Sequence, residues 1–332
     1  MIEDPQCVPD TSREGTSAGG ETRAPVAVVD LGTNSTRLLV AVVADGRLRE
    51  LERRTTVTRL GQGVEASGRL ADEAIARVSE ALTAYREVID RLGAKRIVAV
   101  ATSAMRDAEN GPAFRDEIQE RFGIDARTIT GDEEARLTFL GATSGRNPGP
   151  PTVVIDIGGG STEYVTGKAA GEPDFHVSTR MGSVRFSERH LAADPPEHDE
   201  LTAIAEDARG VIEHDVPADI RDRVEHGIAV AGTATTLAAI DQELDPYDPE
   251  KIHGYRVSLA ACERIVAQLA ALPLAERRGV TGLHPDRAPT IVAGSVIMLE
   301  SLRAFGLGEI EVSESDILHG AALAAASESA SR

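Results

Sequence analysis

Apolar residues fall into two recurring patterns along this chain, short unbroken runs and longer stripes at spacings of three and four. The runs VAVVDL (26–31), RIVAVA (96–101), VVIDI (153–157) and GIAVA (227–231) predict buried strands. Shorter segments at 47–58, 127–130, 174–179 and 309–312 predict further strands. Ile75, Val78, Leu82, Tyr85, Ile89 and Leu92 form one stripe of a helix from about 71 to 92, facing a sheet. Other helices are predicted over 132–141, with Phe139 and Leu140 turned inward, and over 199–215, 259–272, 285–305 and 315–326. The segment 60–64 (LGQGV) reads as a loop, and 181–191 as a loop entering a helix. Strands that alternate with helices make this an α/β chain.

Two of these segments share more than a pattern. Sliding VAVVDLGTNSTRLLVAVV (26–43) by 126 positions, from Asp30 to Asp156, also puts Gly32 on Gly158, Ser35 on Ser161 and Thr36 on Thr162. Each copy is a strand, a turn and a strand, with an acid at the end of the first strand. A solenoid repeats roughly every 20–50 residues, so this wider spacing predicts two similar lobes whose turns face one another across a cleft. The chemistry of such turns suits phosphate: backbone N–H groups converge on its oxygens where a Cβ would block approach. Candidate phosphate-binding residues are Gly32, Thr33, Asn34 and Ser35 in the first turn and Gly158, Gly159, Gly160 and Ser161 in the second. Asp156 and Glu163 are placed to hold a divalent cation that offsets the phosphate charge. For either turn alone, a plain hairpin is the alternative.

Composition narrows the setting. With 332 residues, 41% of them hydrophobic, the chain can bury two cores. GRNPGPP (145–151) is the clearest linker, which sets lobes at 25–146 and 147–312 behind a disordered tail of polar residues at 1–24. No run approaches the ~18 apolar residues of a membrane helix, and the N-terminus lacks the order of a signal peptide, so the expectation is a cytoplasmic protein with no membrane partner. A net charge of −19 argues against nucleic acid as a partner, because the protein's own field repels a polyanion. An anionic substrate must then be held by local arginines, backbone amides and metal. Cys7 and Cys262 stand in no disulfide or metal spacing, and the eight histidines form no zinc pattern.

Three single positions stand out. The strand at 96–101 delivers Arg106 to its carboxyl end, where open α/β sheets place ligands, so Arg106 reads as a phosphate clamp or as a surface arginine of a first helical turn. Thr130 and Glu133 fit a capping box. Consecutive helical residues point about 100° apart, so if Glu133 caps, Glu134 is free for chemistry; both are also ordinary first-turn acids favoured by the helix dipole. The helix that begins near Thr233, just after Gly232, offers free N–H groups to an anion.

DLGTNSTRLL, ATSAMRDA, TGDEEARLTFLGA, DIGGGSTEY and AGTATTLAA together resemble the exopolyphosphatase and guanosine pentaphosphate phosphohydrolase family, over about 26–326. That family lies within the sugar kinase and actin-like ATPase superfamily. The resemblance implies two ribonuclease-H-like (actin-like) lobes with a cleft between them, the first completed by a C-terminal helix at 313–328. It also implies Glu134 as the catalytic glutamate, Mg²⁺ (or Mn²⁺) on Asp156, Glu163 and Asp30, and a homodimer. The expected activity is removal of the terminal phosphate of inorganic polyphosphate, with short chains preferred because the chain has no domain beyond the two lobes. Hydrolysis of guanosine pentaphosphate stays open, with guanosine pentaphosphate or tetraphosphate as substrate or inhibitor, as do kinase or ATPase action and a regulatory binder with little turnover. Ala231 precedes Gly232 where the family carries two glycines, Pro289 replaces an acid, and His319 replaces an arginine. These departures bear on the choice of substrate.

Overall fold

The computed structural model describes residues 24–169 and 171–330. The predicted tail at 1–24, apart from Ala24, and Cys7 with it, lies outside the described residues. The first sheet contains β1 (Val26–Leu31), β2 (Ser35–Ala44), β3 (Arg47–Val57), β4 (Arg96–Ala101) and β5 (Ala126–Thr128), in the order β3-β2-β1-β4-β5. The second contains β6 (Thr152–Ile157), β7 (Thr162–Gly167), β8 (Pro173–Thr179), β9 (His226–Val230), β10 (Arg256–Ser258) and β11 (Glu309–Val312), in the order β10-β11-β9-β6-β7-β8. In both, a three-strand antiparallel meander is followed by a strand parallel to its first member, β4 beside β1 and β9 beside β6. The duplication seen in the sequence is therefore a duplication of topology, and each sheet is the centre of a ribonuclease-H-like lobe. Both β1 and β6 are buried along their whole length, as their unbroken apolar runs require.

The helices α1 (Val64–Ser67), α2 (Asp72–Arg91), α3 (Ser103–Asp107) and α4 (Gly111–Phe122) belong to the first half of the chain. From α5 (Gly131–Thr143) they continue as α6 (Ser183–His190), α7 (His198–Asp215), α8 (Ala218–Arg221) and α9 (Ala231–Asp241). The last are α10 (Pro249–Ile252), α11 (Leu259–Ala270), α12 (Leu274–Arg277), α13 (Ile291–Ala304) and α14 (Ile317–Ala330). On α2, Val78, Leu82, Tyr85 and Ile89 are buried, the predicted stripe.

Two expectations are corrected, at Leu140 and at 285–305, and two helices form where none was predicted. The loop expected at 60–64 leads into α1, held between Gly63 and Gly68 in left-handed conformations. Leu140 is 40% exposed, because the buried stripe of α5 runs through Ala135, Thr138, Phe139 and Ala142 and leaves Leu140 on its outer flank. The single helix expected over 285–305 is a short turn at Pro285–Arg287 followed by α13, since Pro289 interrupts the ladder of N–H donors. A charged stretch with only Phe114 and Ile118 as buried large apolar residues still forms α4.

The lobes are laced together by α5 and α14. Ala135, Phe139 and Ala142 of α5 pack on Val154, Val165, Ile228 and Val230 of the second sheet. Leu318, Ala321, Ala322 and Ala325 of α14 pack on Val26, Val28, Leu39 and Ala41 of the first. The chain thus crosses to the second sheet at α5, ahead of the proline-rich linker at which the sequence set the boundary. The two helices cross at Gly141 and Gly320, where an added Cβ would run into the carbonyl of Asp316 or of Leu137.

Candidate active site

The turns between β1 and β2 and between β6 and β7 close in the same way. Gly32 N–H donates to the Ser35 carbonyl (3.1 Å) and Gly158 N–H to the Ser161 carbonyl (3.0 Å). The second turn also touches the first. A Cβ on Gly159 would stand 2.9 Å from Thr33 Cγ2, and one on Gly160 2.6 Å from Ser103 Oγ. Glycine at these two positions answers to the meeting of the lobes as well as to any ligand. A hydrogen bond between Thr33 and Ser103 hydroxyls (2.7 Å) braces the contact.

The strand register places a different residue opposite each strand-end acid. Asp30 faces Arg37 across β1 and β2, whereas Asp156 faces Glu163 across β6 and β7. Arg37 donates to Asp30 Oδ2 through Nε (2.9 Å) and Nη2 (2.7 Å), and its third donor, Nη1, reaches Asp316. Asp30 therefore already shares its Oδ2 with a cation, the Arg37 guanidinium. Its Oδ1 is buried without a hydrogen-bond partner among the described residues.

No such arginine neutralises the second acid at its own register position. Asp156 and Glu163 are both buried; Thr138 Oγ1 donates to Asp156 (3.4 Å) and Ser178 Oγ to Glu163 (2.7 Å). Glu134 joins them from the first turn of α5, buried and 3.4 Å from Arg106 Nη1. Burial raises all three carboxyls above their ordinary range; the charge of Glu163 pushes Glu134 and Asp156 further, and Arg106 opposes the effect on Glu134. Among the described residues, no three His, Cys, Asp or Glu side chains are grouped as a metal cage. The slot between the turns has a volume of about 80 Å³ and is lined by Asp30, the residues 32–35, Glu134, Asp156, Gly158, Gly159, Ser161 and Arg287.

Each predicted residue can now be placed. Thr130 caps α5 by accepting from Glu133 N–H (3.2 Å), while the Glu133 carboxylate turns outward to Arg127 (2.5 Å) and Glu134 faces the slot. Arg106, in the last turn of α3, donates to the Ile129 carbonyl (2.9 Å) and borders a separate cavity of about 360 Å³ with Gly160 and Ser161. Gly232 stands at the start of α9 as expected, yet a Cβ there would strike the Arg287 guanidinium. Ala231, beside it, has φ 62°, a left-handed conformation that disfavours any side chain.

Three contributors escape sequence reading: Arg37, Arg287 and Asp316. Arg37 and Asp316 become visible only when strand register and the return of α14 are known. Arg287 lies in HPDRAP, beside the Pro289 that the sequence marks. It lines both the slot and a larger cavity of about 780 Å³, shared with Arg37, Arg53, Arg278 and Tyr247. Burial and the nearby Arg37 both disfavour its charge, which an anion would restore. Arg185 Nε donates to the Gly160 carbonyl (2.8 Å) and Nη2 to Asp107 (2.6 Å), fastening the second turn to the first lobe.

Known proteins resemble this chain in sequence and in fold. The chain is 39% identical over 315 residues to Exopolyphosphatase 2 of Mycobacterium tuberculosis, covering 91% of this chain and 98% of that protein. It is 33% identical to a bifunctional 3-dehydroquinate synthase/phosphatase of Fusobacterium nucleatum, over 90% of this chain and 46% of that protein. A solved exopolyphosphatase-like protein superposes with a TM-score of 0.86 at 34% identity, over 92% of this chain and 98% of that one. The Aquifex aeolicus Ppx/GppA protein does so with 0.78 at 30% identity, over 92% and 98%. Residues 39–327 match the Ppx/GppA phosphatase family, and with the paired turns and the buried acids lying inside a fold shared at this level, the chain belongs to that family.

Proposed function

We propose that this protein is an exopolyphosphatase that hydrolyses the terminal phosphate of inorganic polyphosphate, with Glu134 as the group that orients and deprotonates water. The observation that carries this is the placing of three buried acids, Glu134, Asp156 and Glu163, beside two facing turns, with Arg37 and Arg287 beyond them. Backbone N–H groups of 33–35 and 159–161 bind the end of the chain. Arg37 and Arg287 take the phosphates that follow, into the 780 Å³ cavity. The proposal includes a preference for short chains. Phosphoryl transfer leaves a protein mainly positioning and charge stabilisation to perform, which suits a site made of amides, arginines and carboxylates.

Asp156 and Glu163 are the residues that would hold Mg²⁺ (or Mn²⁺). Two carboxylates raised by burial suit an ion that takes one or two protein ligands and fills the rest of its shell with water and phosphate oxygens. Such a cation supplies charge to the transferring phosphoryl group. Glu134 stays on the side from which water attacks. We take the enzyme to be a cytoplasmic homodimer without nucleic acid or membrane partners; the net charge of −19 supports the exclusion of nucleic acid, and no helix among the described residues is long and apolar enough to cross a membrane.

A second substrate, guanosine pentaphosphate, is favoured by one feature: the 780 Å³ cavity carries Tyr247, 47% exposed, a surface on which a base can stack. Phosphate release from polyphosphates of defined length, guanosine pentaphosphate and ATP, each with and without Mg²⁺, tests both. Metal-dependent release from polyphosphate is expected. Binding of polyphosphate without release would overturn the hydrolase, and release from the nucleotide alone would make the second substrate the first.

A further inference from the structure

The slot lies between two cavities, and only one of them is needed to hold substrate. The front cavity, about 780 Å³, shares Arg37, Ala231, Gly232 and Arg287 with the slot. The back cavity, about 360 Å³, shares Ser103 and Ser161 with it and is bordered by Arg106, His176, Ser178 and Arg180. What divides slot from back cavity is small and polar: Gly160, Ser161 and the hydrogen-bonded hydroxyls of Thr33 and Ser103. Arg185 borders the same space, pinned to the Gly160 carbonyl and to Asp107. Arg180, with a side chain 69% exposed, stands at its mouth, 3.3 Å from Asp107.

In-line attack sets a direction. Water adds to the terminal phosphorus on the face opposite the leaving chain, the bridging P–O bond breaks, and the shortened chain keeps the bridging oxygen. Glu134 receives a proton from the attacking water, and orthophosphate forms on the side of Glu134. That acid contacts Arg106, which belongs to the back cavity. The remaining chain still fills the front cavity and blocks that way out.

We propose that the back cavity is the passage by which orthophosphate leaves and water arrives, with Arg106 and Arg180 as the residues that meet the departing anion. The shortened chain can then advance into the slot without first dissociating. This rests on polyphosphate hydrolysis at the site proposed above.

Two measurements test it. The first is product inhibition of the unaltered enzyme by inorganic phosphate. An anion that leaves by its own passage can bind while the chain is bound, so inhibition should be noncompetitive or mixed against polyphosphate; strictly competitive inhibition would overturn the proposal. The second uses Arg180→Glu, which puts a like charge at an exposed mouth, and His176→Trp, which fills the passage. In each, the first cleavage, followed in a single turnover, should stay within about twofold of the unaltered enzyme, while steady-state turnover falls at least fivefold and a burst of one phosphate per site appears. Unchanged steady-state rates in both variants, or a first cleavage slowed as much as turnover, would equally overturn it. If the unaltered enzyme releases no phosphate from polyphosphate, it is the hydrolase assignment itself that fails.

Discussion

Arg37 and Glu163 occupy the same position in the two copies of the hairpin, each directly opposite the acid that ends the preceding strand. In the first copy the pair is Asp30 with a guanidinium at 2.7 Å; in the second it is Asp156 with another carboxylate. One turn is thereby neutral at its base and the other is short of positive charge. Glu163→Gln should weaken Mg²⁺ at least tenfold while changing the affinity for metal-free polyphosphate little, as read by calorimetry. An unchanged metal affinity would remove Glu163 from the ligand set.

Glu134→Gln should lower kcat by ~10²–10⁴-fold with little effect on substrate affinity, the usual contribution of a positioned proton acceptor. Glu133 points away from the slot to Arg127, so Glu133→Gln should leave the rate nearly intact. Kinetics of the two variants side by side check the assignment, and reversal of their effects would exchange the roles.

Burial, then the charges of Glu163 and Asp156, hold the Glu134 carboxyl well above the ordinary carboxylate value of about 4.3. The base acts when ionised, so kcat/KM should rise with pH through that raised value, and added Mg²⁺ should draw the limb to lower pH. Stability runs the other way. A carboxyl raised on folding binds its proton more tightly in the folded state, so its contribution is full below the unfolded value and is lost as pH rises through the folded one. Metal-free protein should therefore gain more in melting temperature from Mg²⁺ at about pH 8 than at about pH 5. An equal gain at both would count against metal binding by these acids.

Arg106→Lys keeps the charge but not the planar fork that reaches both Ile129 and Glu134. Because Arg106 borders the back cavity and not the slot, steady-state turnover should fall several-fold with KM for polyphosphate changed little, whereas a several-fold rise in KM would make Arg106 a substrate clamp instead.

Ala231 holds a left-handed conformation at φ 62°. Ala231→Gly removes that strain at the cost of a freer unfolded chain, so a net gain of about 0.5–1 kcal/mol in urea unfolding is expected. A loss of stability would mean that the methyl group is held by contacts worth more than the strain.

The duplicated hairpin was legible because it is local: an apolar run, a glycine turn and a strand-end acid recur in register, and β1, β2, β6 and β7 follow directly. Glu134 was legible through its family motif, and the cap at Thr130 explains in physical terms why it rather than Glu133 faces inward. Arg37, Arg287 and Asp316 were not, because each acquires meaning from a partner that lies far off in the chain. Arg37 meets Asp316 only because α14 returns to the first sheet. At Asp30, pattern reading saw the acid and not the arginine opposite it, for the same reason. Leu140 shows the limit of local periodicity: one step around the helix turned an apolar residue out to solvent.

Where Gly141 and Gly320 meet, main chain rests on main chain. Interlocked side chains fix the angle at which two helices cross, and a crossing without them has fewer stops against rotation. The helix that bears this point also bears Glu134, seven positions earlier and about 10 Å along its axis. A turn of one half of the molecule on the other would therefore swing Glu134 on a short lever, and a bulky residue at either glycine would spread the helices and set that lever at the wrong height.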